Sequence, residues 1–252
     1  MKVKCLILMA IGVMAHLLMV LVSFIIGVLL FFLVKYSNEK VQNSIIFALS
    51  VFCMLGIFFL HGTKYGTTLD LKNLLIQMFQ VCNFNLILLP LCLFKRNELA
   101  RQYLFLFSMP MALSTFVSYP GDVSGSMWYS IVCLTFWCNH FLIVMIPILM
   151  VATKKFKPQK QYLSKVIVCI FTYFLISFVV NYILNGFHLY GNHNHSYTMD
   201  PGGIMILKPI YDIISIPFVY LWPVLIILIL LYSAVIKIFE KYKVKDNFGI
   251  EI

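Results

Sequence analysis

Long apolar runs separated by short polar turns fill the chain from its first residues to about residue 240. Several approach or exceed the roughly 20 apolar residues that an α-helix needs to cross a hydrocarbon layer. They fall near 6–34, 44–62, 73–94, 101–118, 128–152, 161–186 and 208–239. Backbone polar groups in lipid must be satisfied within the spanning structure, which leaves helices or a closed barrel, and these runs lack the alternation of barrel strands. The pattern predicts an all-α fold: a polytopic membrane helical bundle of about seven transmembrane helices, one integral membrane domain over 1–252, with an exposed outer loop at 187–207. No internal repeat, low-complexity tract, Gly-rich phosphate loop or soluble domain is evident.

Composition agrees with this reading. At 62% hydrophobic and 11% charged, 252 residues cannot hide their apolar surface in one soluble core. The formal net charge of +10 raises nucleic acid as a partner, but the cations sort by side. Lys35, Lys40, Lys95, Arg96, Arg101, Lys154, Lys155, Lys157, Lys160, Lys237, Lys241, Lys243 and Lys245 fall on one face of a seven-span chain, against Lys2, Lys4, Lys64 and Lys72 on the other. An excess of Lys and Arg marks the cytoplasmic side, so the N-terminus is expected outside and the C-terminus inside. Lys2 and Lys4 alone pull the other way. The basic face then meets anionic lipid headgroups, and no nucleic acid is expected. The first run is too long for a signal peptide and has no convincing cleavage site, so it is read as a retained anchor. The seven cysteines lie within or at the edges of spans, where disulfides are not expected.

Polar side chains are costly at bilayer depth and mark either interhelical hydrogen bonds or a site. The stretch FWCNHFLIVMIP, residues 136–147, puts Asn139 and His140 inside an apolar span, with His140 near the midplane. Asn73, Gln77, Gln80 and Asn83 share one face of the third span, and Tyr173, Ser177, Asn181 and Asn185 share one face of the sixth. Asp212 stands at the start of the seventh, and His16 lies at similar depth on the first. Together they predict a polar cavity opening outward, with His140 as general base or proton carrier and Asp212 as its partner or as a helix cap. Cys82 beside a His invites thiolate chemistry. On a regular helix, however, it points away from Asn73, Gln77 and Gln80. The loop FHLYGNHNHSYTMDPGG holds His188, His193, His195 and Asp200, but at no standard zinc spacing. Its Asn, Gly, Pro and Ser content reads as turns and a lid. No metal and no cofactor are expected.

The stretches QVCNFNLILLPLCLFKR, HFLIVMIPILMV and DIISIPFVYLW resemble the YwaF-like integral membrane proteins of bacteria over residues 73–225. A distant eukaryotic branch of that family is described as phospholipid acyltransferases. The resemblance implies a multi-pass protein of a bacterial plasma membrane and a phospholipid substrate in the bilayer. It maps His140 to the family's span-leading His, and Asp212, Pro217 and Tyr220 to its Asp, Pro and aromatic segment. The eukaryotic acyl-transfer pair maps loosely to Cys82 and His140. The family's early span carries a His, for which this chain has Gln80, Cys82 and Asn83.

Three functions follow as rivals. The first is a lipid acyltransferase, with catalytic His140, Asp212 and Cys82 and substrate-binding Gln77, Gln80, Asn83, Asn139, Asn181 and Tyr220. The second is a transporter or binding subunit that holds a small solute between the same stripes, although obvious inverted repeats and paired broken spans are absent. The third is a structural membrane protein whose polar residues only pack helices.

Overall fold

A computed structural model describes residues 2–64, 78–94, 97–117, 130–188, 192–202, 204 and 207–241. The start of the expected third span, with Asn73 and Gln77, lies outside them, as does the join between the fourth and fifth. The described residues are helical apart from short connections. Helix α1 runs over Lys2–Lys35 and α2 over Glu39–Lys64. Helix α3 covers Val81–Phe94, and α4 covers Glu98–Tyr103. A π turn at Leu104–Ser108 leads from α4 into α5, Met109–Val117. Helix α6 spans Ile131–Ala152, and α7 spans Leu163–Gly186 behind a 3₁₀ turn at Lys160–Tyr162. The last apolar run is divided into α8, Lys208–Ile213, and α9, Trp222–Lys241. Among the described residues, four stretches are long and apolar enough to cross a membrane: Val13–Lys35, Cys133–Ala152, Lys160–Gly186 and Val219–Lys241.

Local chemistry sets the helix ends. The Asn38 side chain accepts from Val41 N–H at the start of α2, Asn97 from Ala100 N–H at α4, and Ser130 from Cys133 N–H at α6. The seventh expected span breaks between Ile214 and Phe218. Pro217 has no N–H to donate, and Phe218 is left-handed, with φ of 64°. The freed Phe218 N–H donates to Thr198 O at 2.7 Å instead, which ties the break to the preceding loop.

Helix α6 is the centre of the bundle, in contact with α1, α2, α3, α5 and the π turn. Its apolar window is 56% buried, against 17% for α1, whose Leu17, Leu21, Phe24 and Leu29 face outward. Those exposed apolar side chains suit lipid, in which they cost nothing.

Side-chain contacts define two ends. At one, Lys155 Nζ lies 3.6 Å from Glu39 Oε1, and Gln102 bridges Glu98, Lys157 O and Gln159 N–H. The turns after α1, before α4 and after α6 therefore share that end. At the other end the α7–α8 loop meets Phe79 and Gln80.

Candidate functional site: a cysteine and histidine between α3 and α6

His140 is buried on α6, and each of its two ring nitrogens has a neighbour that fixes its role. Nδ1 lies 2.8 Å from Phe136 O, one helical turn back. A carbonyl can only accept, so Nδ1 carries a proton, and in the neutral ring Nε2 keeps its lone pair. Nε2 lies 3.0 Å from Cys82 Sγ on α3. The thiol is thus the donor of that contact and the imidazole its acceptor. The Phe136 ring packs on the imidazole with centroids 4.1 Å apart, further limiting its rotation.

The structure brings Cys82 to His140 although a regular helix through Asn73 would turn it away. The backbone resolves the difference. Regular helix begins only at Val81, and Met78–Gln80 form a turn, so facing angles carried across residue 80 do not hold. Cys82 therefore sits in the first turn of α3, at the positive end of the helix dipole. Asn83 lies beside it on the same turn, half-buried.

Asn139 and His140 are adjacent in sequence but serve different helices, since neighbouring helical residues are about 100° apart. The Asn139 carbonyl faces Cys53 Sγ of α2 at 4.0 Å. Its side chain packs so closely on Gly56 that a Cβ there would stand 2.5 Å from Oδ1. Asn139 fills a close approach of α2 and α6, and Gly56 is a partner that the hydropathy pattern does not single out.

Asp212 is not brought to His140. It lies exposed on α8 and pairs with Lys208 Nζ at 3.0 Å, one turn away. The orienting contact on His140 comes from the Phe136 carbonyl instead. A residue four positions back on the same helix is a signal the sequence does contain, but every helical His has one. His16 is buried against Trp137, with ring centroids 5.2 Å apart.

The 187–207 segment, expected as an exposed loop, folds back into the bundle where it is described: His195, Ser196 and Thr198 are buried. The polar stripe of α7 holds it there. Asn181 donates to His195 O and Thr198 Oγ1, at 3.0 and 2.8 Å, and accepts from His195 N–H at 2.9 Å. Asn185 makes a reciprocal pair with the His193 backbone. Ser196 donates its N–H to Gln80 Oε1 at 3.1 Å and its hydroxyl to Phe79 O at 2.6 Å, and the Tyr220 hydroxyl donates to Tyr197 O. Ser196 and Tyr197 are both left-handed, with φ of 55° and 56°, a strained pair that these bonds hold in place. The α7 stripe is thus spent on the loop through Asn181 and Asn185, and on the Phe79 carbonyl, to which Tyr173 and Ser177 donate. Gln80 joins the loop to the residues just ahead of Cys82, and Gln77 lies outside the described residues.

An apolar groove of about 470 Å³ opens between α1, α5 and α6, lined by Val20, Phe24, Gly27, Phe116, Phe141 and Val144 among others. Rings connect it to the imidazole: Phe116 to Trp137, Trp137 to Phe136, and Phe136 to His140.

No curated protein and no solved structure matches the chain. A family model does, and it carries the membrane character of the fold, though not the finer likeness to YwaF-like proteins or a bacterial source. Its match covers residues 10–239, from within α1 to within the last turn of α9, and the chain belongs to the TMEM164 family.

Proposed function

We propose that this protein is an intramembrane acyltransferase acting on phospholipids, with Cys82 as acyl carrier and His140 as its base. The observation that carries the reading is the 3.0 Å contact between Cys82 Sγ and His140 Nε2, with Nδ1 committed to Phe136 O. The tautomer leaves a lone pair aimed at a thiol, the arrangement a nucleophilic cysteine needs. In the proposed reaction Nε2 takes the thiol proton and the sulfur attacks the carbonyl of a lipid acyl ester. The C–O bond breaks, His140 returns the proton to the leaving lysophospholipid oxygen, and the acyl group stays on Cys82 as a thioester. An acceptor lipid hydroxyl, deprotonated by the same Nε2, then takes the acyl group. The sulfur leaves and recovers its proton from His140.

The start of α3 favours the negative charge that develops on sulfur and on the tetrahedral oxygen. Gln80 and Asn83 flank Cys82 and are the side-chain donors proposed for that oxygen. The ring-linked apolar groove suits an acyl chain, and lipid reaches it from the side. The rest of the setting is proposed with it: seven crossings, the N-terminus outside, and the Lys-rich end on the cytoplasmic side.

The test is a lipid profile by mass spectrometry of cells with the wild-type protein, with Cys82→Ala, with His140→Ala, and without the protein, at equal membrane levels. A change in acyl composition that needs the protein and is lost in both variants is expected. A profile indifferent to the protein's presence, or one that either variant restores in full, would count decisively against acyl transfer.

A further inference from the structure

Arg101 lies at the end of the bundle opposite the α7–α8 loop, in the short helix α4. Its side chain is 7% exposed. Nη1 stands 3.8 Å from Glu98 Oε2, too far for a hydrogen bond. Nε and Nη2 are buried and have no hydrogen-bond partner among the described residues. Those two atoms form one edge of the guanidinium, with parallel N–H donors that match two oxygens of a phosphate or carboxylate.

Glu98 does not complete the site. Its Oε1 accepts from Gln102 at 2.8 Å and Gln159 at 3.4 Å, which holds the carboxylate toward the α6–α7 turn and beside Nη1. Several neutral buried groups, including Asn85 and Ser108, also lack partners among the described residues, and ordered water would satisfy them. A cation in a membrane bundle is not satisfied so easily, and one whose loose ion pair leaves two buried donors open suits a binding role. Depth narrows the ligand. Glu98, one turn before Arg101, remains 20% exposed, so Arg101 lies close to the surface at the Lys-rich end, and lipid phosphates gather at the ends of a membrane bundle. A long side chain held only by a loose ion pair can bring its fork to that boundary.

We infer that the Nε–Nη2 edge of Arg101 is a binding site for a phosphate oxyanion at the Lys-rich end of the bundle, on the order of 15 Å along the helix axes from Cys82. The oxyanion is that of a lipid headgroup or of a free phosphate. This site does not rest on the acyl-transfer reading, and its test scores binding rather than turnover.

The test uses the full chain in phosphate-free maltoside micelles at constant ionic strength. The thermal unfolding midpoint is titrated with inorganic phosphate, with dioctanoyl phosphatidylglycerol, and with dioctanoylglycerol as the chain-only control. A saturable rise with either phosphate compound and none with the control is expected. Arg101→Lys and Arg101→Gln should each raise the half-saturating concentration by about tenfold or more, as expected for losing a charge-assisted hydrogen bond. Protection by inorganic phosphate identifies a soluble source, and protection by the lipid alone identifies a headgroup. No protection, or protection unchanged in both variants, overturns the site. If neither Arg101 variant folds, Glu98→Gln decides. It removes the competing negative charge and should tighten phosphate binding, whereas an unchanged or weaker half-saturation overturns the site.

Discussion

At the scale of single residues, the Phe136 carbonyl makes a specific demand on His140. In the proposed reaction Nε2 is the base for Cys82, so the thiol should react faster with an alkylating agent than a thiol without a base. Iodoacetamide uptake, followed peptide by peptide by mass spectrometry, should be fastest at Cys82 and slow at buried Cys53 and Cys92. His140→Ala should slow Cys82 alone by about a hundredfold, the low end of what a positioned base supplies. Equal rates in the two proteins would remove the base from His140. The loop offers a second residue-scale demand. Burial, and after it the neighbouring His193, pull the His195 pKa from 6.5 down to about 4. The docked loop therefore holds a neutral ring. Its stability is complete above the ordinary His value and is lost as pH falls through the window between 6.5 and about 4. Backbone hydrogen exchange across residues 194–198, corrected for chemical rate, should quicken from neutral pH to about pH 5. Because neither ring nitrogen has a hydrogen-bond partner among the described residues, His195→Leu sacrifices none and should flatten that dependence. The same pH response in the variant would place the titrating group elsewhere.

At the scale of elements, the tightest junction is that of α2 with α6, where Gly56 accepts the Asn139 side chain. Gly56→Ala sets a methyl 2.5 Å from Asn139 Oδ1 and 3.3 Å from its Cγ, so the buried amide must shift. Overpacking of this kind costs about 1–3 kcal/mol. A fall in the detergent unfolding midpoint is expected, whereas Gly186→Ala, which meets no atom within 4 Å, should leave the midpoint nearly unchanged. Equal effects would mean that the two helices separate without strain. The positions of these helices were legible in the hydropathy pattern, because a span must be continuous and apolar and lipid allows few alternatives. The faces were less legible. The pattern turns Cys82 away from the polar stripe because it gives no sign that regular helix starts at Val81. The 187–207 segment read as exposed because Asn and Ser are turn residues. Here those residues and Asn181 satisfy the loop's own buried backbone. Asp212 drew attention as an intramembrane carboxylate, but Lys208, one turn before it, gives it a local partner that helical spacing could have shown.

At the scale of the whole molecule, the contacts between turns constrain the path of the chain independently of hydropathy. Glu39 meets Lys155, and Gln102 meets Lys157, so the α1–α2, α3–α4 and α6–α7 connections gather at one end. The α7–α8 loop binds Phe79 and Gln80 at the other end, and α9 returns toward the first, where Phe239 meets Phe105 just after α4. This is the arrangement that successive crossings produce. The gathered end carries Lys35, Lys40, Lys154, Lys155, Lys157 and Lys160, and in the orientation proposed above this Lys-rich end faces the cytoplasm. Two exposed positions test the assignment without disturbing a described contact: Asn192 in the loop and Lys160 in the turn before α7. In intact cells a membrane-impermeant maleimide should label Asn192→Cys and spare Lys160→Cys, and Lys160→Cys should react once the membrane is opened. Peptide-level mass spectrometry separates these sites from the native cysteines. The reverse pattern would turn the bundle over and place the Cys82 end on the cytoplasmic side. Labelling of both positions in intact cells would break the alternation itself, and with it the crossing of α7 between them.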